Sequence, residues 1–248
     1  SAAPAFQIGE RVKTGQKISL FADGPAYVIS SVTGTIASIS PYTGDYGKTY
    51  SAITITVDKN EELDDPFDNQ TPDLETAIAH LSFIPGNPAF STLAEPEKSI
   101  HTIVITGVDD DLLMGTNQYI VASALGDIKK GIAILNDIAG VDRIVLVTAG
   151  ESMQGYGHIG AEVKNVGTGY PAALPQLIMK DVLGEVVPAG KNCEDIGVCF
   201  LSAEAVAAIG KAYAEGQIPV SKILTLVTKD GTQRLIKTTI ATPIRDIL

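Results

Sequence analysis

The chain has 248 residues, 45% of them hydrophobic and 19% charged, enough to bury a sizeable core and to build two domains. Twenty-nine acidic against 18 basic residues give a net charge of −11, which argues against a face that neutralises nucleic acid or an anionic membrane. No apolar run approaches the roughly 18 residues of a membrane span. Cys193 and Cys199 supply neither a disulfide framework nor an iron–sulfur ligand set. A reducing, cytosol-facing compartment is the expectation.

In chain order, FQIGERVKTGQKISLFADG reads as a short strand, a turn at Gly15-Gln16 and a second strand. AYVISSVTGTIASIS and YSAITITVD then alternate apolar and polar residues, the period of half-buried strands. These segments make a β-rich head over residues 1–60. The words IGERVKTGQKI and SSVTGTIASI look like a lipoyl/biotinyl-type barrel-sandwich. The hairpin tip that carries a modified lysine in that fold is here Ala22-Asp23-Gly24-Pro25, which contains none. A docking or structural module is therefore expected rather than a swinging arm.

An acidic, proline-containing stretch follows, DKNEELDDPFDNQTPD, and reads as an exposed linker over residues 61–73. Its Asp64, Asp65 and Asp68 lack the glycine and terminal glutamate of an EF-hand loop.

The body spans residues 74–241. Asp73 is placed to cap the helix LETAIAHL. The loop FIPGNPAFSTLAEP leads to a strand over 102–107, and one long helix is expected from Asn117 to Ile138. RIVLVT reads as a strand, the glycine-rich stretch Gly150–Gly169 as a flexible connection, and residues 174–183 as a helix. IGVCFLS, with Cys199 as a small buried residue, is a third strand, and AEAVAAIGKAYAEG the helix after it. KILTLVT and RLIKTTI flank Lys229-Asp230-Gly231, a hairpin signal. Alternating strands and helices predict an α/β body with a largely parallel sheet. Residues 242–248 read as the start of a following segment, with Thr242 as N-cap and Pro243 at the first helical position.

Three candidate sites can be read from residue type alone. Asp109-Asp110-Asp111 lie just beyond a parallel strand, where α/β sheets bind ligands, and could hold a cation, a ribose hydroxyl or a partner's lysine; the bland reading is a solvated loop. Gly155-Tyr156-Gly157 with His158 has the composition of a phosphate cradle but fits no GxGxxG spacing. Cys193, Cys199 and His158 lack the spacing of metal ligands, and no nucleophile elbow is present.

The stretch GYPAALPQLIMKDVLGEVVP, the segment DIGVCFLSAEAVAAIGKAYAEGQIP and the closing ATPIRDIL together resemble the C subunit of the Rnf electron-transport complex. They are also similar to the A subunit of the sodium-pumping NADH:quinone reductase. The resemblance implies a barrel-sandwich head and a Rossmann-like body of the complex I flavoprotein type. The chain would be the N-terminal portion of a longer protein, with a β-grasp segment and iron–sulfur clusters only beyond residue 248.

In that family a glycine-rich loop of the form GxGGAGFPT cradles FMN phosphate and nicotinamide nucleotide. The matching stretch here is Pro85-Gly86-Asn87-Pro88-Ala89-Phe90-Ser91-Thr92, of which Gly86, Ala89, Phe90 and Thr92 keep the pattern. Its two prolines lack N–H donors. The family's NxxECEPY word is replaced by Thr106-Gly107-Val108-Asp109-Asp110-Asp111-Leu112, closer to the quinone-reductase protein. The resemblance thus implies an FMN/NADH crevice formed by Gly86, Asn87, Ala89, Phe90, Thr92, Gly107, Asp109, Asp110 and Asp111, with a degenerate loop. The implied role is peripheral, at the inner face of the cell membrane, with the chain held by membrane-embedded and peripheral partner subunits and without direct membrane insertion. Its contribution would be docking or structure. Two alternatives stay open: a redox subunit passing electrons from NADH through FMN to iron–sulfur centres, and a soluble electron-transfer adaptor. The first requires the Gly86 and Asp109 loops to face one crevice.

Overall fold

The computed structural model describes residues 6–20, 26–68, 70–150 and 156–248. The tip Ala22–Pro25 and Gly155 of the glycine-rich loop lie outside the described residues.

The head contains β1 (Arg11–Val12), β2 (Lys17–Ser19), β3 (Tyr27–Ile29), β4 (Gly34–Thr43) and β5 (Thr49–Val57). β2 pairs antiparallel with β3, and β1, β4 and β5 form a sheet in that order. Alternation sends Val12, Ile18 and Ile36 inward to a small core with Phe6, while the long β4–β5 hairpin runs outward from it.

The acidic stretch after the head is anchored at several points along its length. Glu62 and Asp64 exchange backbone hydrogen bonds with Thr14, and Thr33 Oγ1 donates to Glu62 O at 2.7 Å. Arg11 reaches Asp58 and Glu62. Phe67 is only 2% exposed and its N–H bonds Gly216 O, so an apolar anchor sits inside a charged run. Composition missed it because one aromatic among carboxylates does not change the average.

The body follows as α1 (Leu74–Leu81), α2 (Phe90–Ala94), β6 (Thr102–Thr106), α3 (Thr116–Ser123), α4 (Leu125–Ala139), β7 (Arg143–Ala149) and β8 (Glu162–Val166). It continues with α5 (Pro175–Ile178), extended by a π turn over Met179–Leu183, then β9 (Val198–Ser202), α6 (Ala203–Glu215), β10 (Ser221–Val227) and β11 (Gln233–Thr239). Asp73 caps α1 as expected, accepting from Thr76 N at 2.8 Å. The single helix expected over 117–138 is two, because Ala124 at φ −128° leaves the helical region. The glycine-rich stretch contains a strand: β8 pairs parallel with β7. Its sequence, EVKNV, is polar at three of five positions, as a sheet edge allows, so it carries no apolar run to betray it. Thr242 does not cap the last turn; Pro243 occupies that position, and the Thr242 hydroxyl donates to Thr239 O.

The parallel sheet has the order β8-β7-β6-β9. Ile103, Ile105, Leu146 and Leu201 face the α1, α4 and α6 side, while Val104, Val145, Val147 and Val198 face the α5 side. Both faces are covered, the usual condition of a parallel sheet. α4 and α6 approach closely: a Cβ on Gly131 would lie 2.0 Å from Val206 O, and one on Gly210 2.0 Å from Asp127 O. The β10–β11 hairpin forms around Lys229–Gly231 as expected, but as a separate two-stranded sheet. It is tied back by Gly115 N to Thr225 Oγ1 and by Glu204. Among the described residues no helix is long and apolar enough to cross a membrane.

Candidate functional site

β6 leads into β7 and then β8 on one side, while β9 returns to the other. The order therefore reverses between β6 and β9, and their carboxyl ends are where such sheets bind ligands. Two cavities open there. One of about 250 Å³ lies between the strand ends and is lined by Thr106, Asp110, Asn117, Phe200 and Ser202. The other, about 180 Å³, is lined by Asp109, Asp110, Asp111, Gln118, Tyr170 and Gln233 among others. Both fall below the 300–1,000 Å³ typical of small-molecule sites.

The N-termini of α3 and α6 both point to this end, and a helix N-terminus is a ready anion site when its N–H groups are free. Here Asn117 N, Glu204 N and Ala205 N are engaged. The Asp109 carboxylate accepts from Asn117 N at 2.9 Å and from Asn117 Nδ2 at 3.1 Å, so it caps α3 across eight residues. Burial raises the Asp109 pKa, partly offset by these bonds and reinforced by the neighbouring Asp110. Asn117 Oδ1 in turn accepts from Glu204 N at 3.4 Å, and Ser202 Oγ accepts from Ala205 N at 3.1 Å.

Gly86 closes the remaining approach to α6. At φ +83°, a Cβ there would lie 2.3 Å from Ala205 N and 2.6 Å from Ala205 Cα, so glycine is required for backbone-to-backbone packing. The loop's donors are used internally as well: Asn87 N bonds Ile84 O, Phe90 N bonds Pro88 O and Thr92 N bonds Ala89 O. Phe90 is wholly buried in the core, and Thr92 lies within α2. Ala89 is half-buried and Asn87 exposed.

Asp109–Asp111 are thus brought to one crevice, while Gly107 lies buried behind them, where a Cβ would meet Val121 and Val147 O, and the Gly86 loop lines neither cavity. The Gly86 loop meets α6 directly at Ala205, whereas the Asp109 loop reaches α6 only through Asn117, which accepts from Glu204 N. Pro85 alone of the glycine loop borders a third space, about 310 Å³, with Tyr119, Ala124, Glu204 and Lys237. His158 lies elsewhere, with Asp142, Arg143 and Glu162 at the amino ends of β7 and β8. Burial raises the pKa of both thiols, that of Cys199 to about 12, leaving neither as a ready nucleophile or metal ligand.

Sequence reasoning missed Asn117 and Glu204. Glu204 is 9% exposed, pairs with Lys222 at 2.7 Å and accepts from Ile223 N. Ser202-Ala-Glu at a strand end is a visible helix-start signal, but which partners it meets is set by the fold. With carboxylates outermost and the Asn117, Glu204 and Ala205 amides engaged, the crevice presents acceptors rather than free donors.

Residues 1–60 match the RnfC barrel sandwich hybrid domain family. The C subunit of the ion-translocating oxidoreductase complex of Pseudomonas aeruginosa is 25% identical over 272 residues, covering 100% of this chain and 35% of that protein. Its counterpart in Pectobacterium carotovorum is 21% identical over 88% of the chain and 32% of its own length. The A subunit of the Na(+)-translocating NADH-quinone reductase of Pseudomonas aeruginosa strain UCBPP-PA14 is 26% identical, covering 90% of the chain and 49% of that protein. The chain spans about a third of the oxidoreductase-complex proteins it matches and about half of the quinone-reductase one.

Proposed function

Because this chain is related to the RnfC and NqrA proteins, we propose that it serves as a peripheral subunit of a membrane electron-transport complex, contributing docking and structure rather than flavin chemistry. In this proposal the head is a lipoyl/biotinyl-like module and the body a Rossmann-like domain. The segment 61–73 connects them, and partner subunits hold the chain at the inner face of the cell membrane. Electron carriers, including any iron–sulfur clusters, belong to other parts of the assembly.

The observation that supports the structural role is the engagement of both helix N-termini by Asp109, Asn117 and Ser202, with Gly86 packed against Ala205. A phosphate cradle needs those amides unspent and its glycines facing the ligand.

Titration of the chain with FMN, followed by flavin fluorescence and then by NADH addition, tests this. The expected result is no saturation at millimolar FMN. Saturable micromolar binding that is lost in Asp110→Ala would overturn it and establish the redox alternative. Gly86 variants are unsuited to the purpose, since any side chain there strikes Ala205 whether or not flavin binds. The docking half is tested separately. The chain should co-sediment with vesicles containing the membrane-embedded subunits of such a complex and not with empty vesicles.

A further inference from the structure

The β4–β5 hairpin presents two strand edges of opposite character. Its closing bond, Gly44 N to Lys48 O, fixes the alternation of the ladder. The pairs Tyr42·Tyr50 and Ser40·Ala52 face each other with their N–H and C=O groups, and Thr43·Thr49, Pro41·Ser51 and Ile39·Ile53 turn theirs outward. Pro41 therefore removes a donor from the outer edge of β4, a common way of blocking strand addition. β1 and Glu10 cover the inner part of that same edge.

The outer edge of β5 has no such protection. Thr49, Ser51 and Ile53 direct their backbone groups away from β4. Beyond the bulge at Ile36/Ser38, Ile55 and Val57 do the same, since Ile36 bonds Glu10 and Gly9 instead. The strand, TYSAITITV, has no proline and no charged residue, and its β-branched residues suit pairing. Among the described residues no backbone group pairs with this edge. An uncovered edge of this length is a template for another strand.

We propose that the β5 edge is an interface for a second copy of this chain, forming a two-fold antiparallel β5–β5 pair that makes the two hairpins one continuous sheet. The strand is self-complementary in one register. With Ile53 on the axis, Ser51 faces Ile55 of the second copy and Thr49 faces Val57. Outward-directed residues thus meet outward-directed residues throughout. That register also sets Lys48, just before β5, opposite Asp58, just after it, at both ends, adding a lysine beside a carboxylate that Arg11 of the same chain already holds at 3.1 Å. A one-residue slip would lose the backbone match, and a two-residue slip the charge match.

Sedimentation velocity on the chain over micromolar to millimolar concentrations reads the association. The wild type is expected to form a reversible dimer. Ser51→Pro should weaken it about tenfold or more, because it deletes an outward N–H in each copy while leaving the β4 bonds intact. Far-UV dichroism and the melting temperature confirm that this variant folds. A second test does not depend on proline: Lys48→Asp should weaken the dimer about two- to fivefold while Lys48→Arg leaves it unchanged, with Asp58 kept because Arg11 of the same chain also holds it. A monomer at every concentration, or a dimer indifferent to both changes, overturns the proposal. So does a β5 edge whose amides gain exchange protection only when membrane subunits are added, which would assign it to a different protein.

Discussion

The sharpest test of the packing concerns one substitution made at two places in the same helix. Glycine in a helix interior costs about 1 kcal/mol relative to alanine, so propensity alone says that Gly→Ala in α4 stabilises. At Gly126, where a Cβ meets nothing within 4 Å, that gain should appear, reduced somewhat by its place in the first turn. At Gly131 the new Cβ would lie 2.0 Å from Val206 O and 2.9 Å from Val206 Cγ1, against ordinary contact at 3.4 Å or more. α6 must withdraw by about 1.4 Å along that line, the difference of those separations, and a core packed to crystal density has no slack for it. Overpacking of this kind costs about 1–3 kcal/mol or more, with the upper end expected because the obstacle is backbone. After the propensity gain of about 1 kcal/mol, Gly131→Ala should destabilise by about 2 kcal/mol and lower the melting temperature by several degrees. Urea unfolding followed at 222 nm gives both midpoints, and unchanged slopes would confirm that stability alone moved. If Gly131→Ala matches Gly126→Ala, the helix–helix contact is not what holds this face of the sheet.

Other consequences follow from the hydrogen bonds and burial. Glu204→Gln should destabilise by about 1–3 kcal/mol, the cost of a broken pair reduced for the partial exposure of Lys222, and should speed hydrogen exchange at the Ile223 amide before that of β6. Asp73 has its pKa held below the usual value by the Thr76 hydroxyl and N–H bonds. Its contribution is therefore present above the unfolded value and lost as pH falls through the folded one. Asp73→Ala should lower the melting temperature at pH 7 by a few degrees and make no difference in strong acid. Cys193 and Cys199 are buried with raised pKa values, so neither should react with Ellman's reagent in the native chain, while both react on unfolding.

What could be read from the sequence was what local chemistry decides. The Asp73 cap, the Asp230-Gly231 hairpin, the buried β9 around Cys199 and the order of strands and helices all follow from residue type and period. β8 escaped because an edge strand needs no apolar run, and the helix break at Ala124 because Ala, Leu and Gly there give no stop signal. Phe67 shows the limit of composition: one ring among carboxylates became an anchor. At the site, Asp109–Asp111 were placed correctly at a strand end, yet Asp109 faces inward to α3, a role visible only once Asn117 is beside it. Gly86 reads in the sequence as part of a phosphate loop, and in the structure its backbone packs on Ala205.

The interlock at the head of α6 bears on how this surface could change over time. To admit a phosphate there, Asn117 would have to release Glu204, Ser202 would have to turn away, and the Gly86 loop would have to back off Ala205. Each change made alone leaves a buried amide without an acceptor or opens a gap beside the helix, so intermediates are less stable than either end point. A single glycine added to the loop would free none of these amides. A chain with this arrangement is held in it by its own packing, and what the crevice offers a neighbour is left to the outward carboxylates, Asp110 and Asp111.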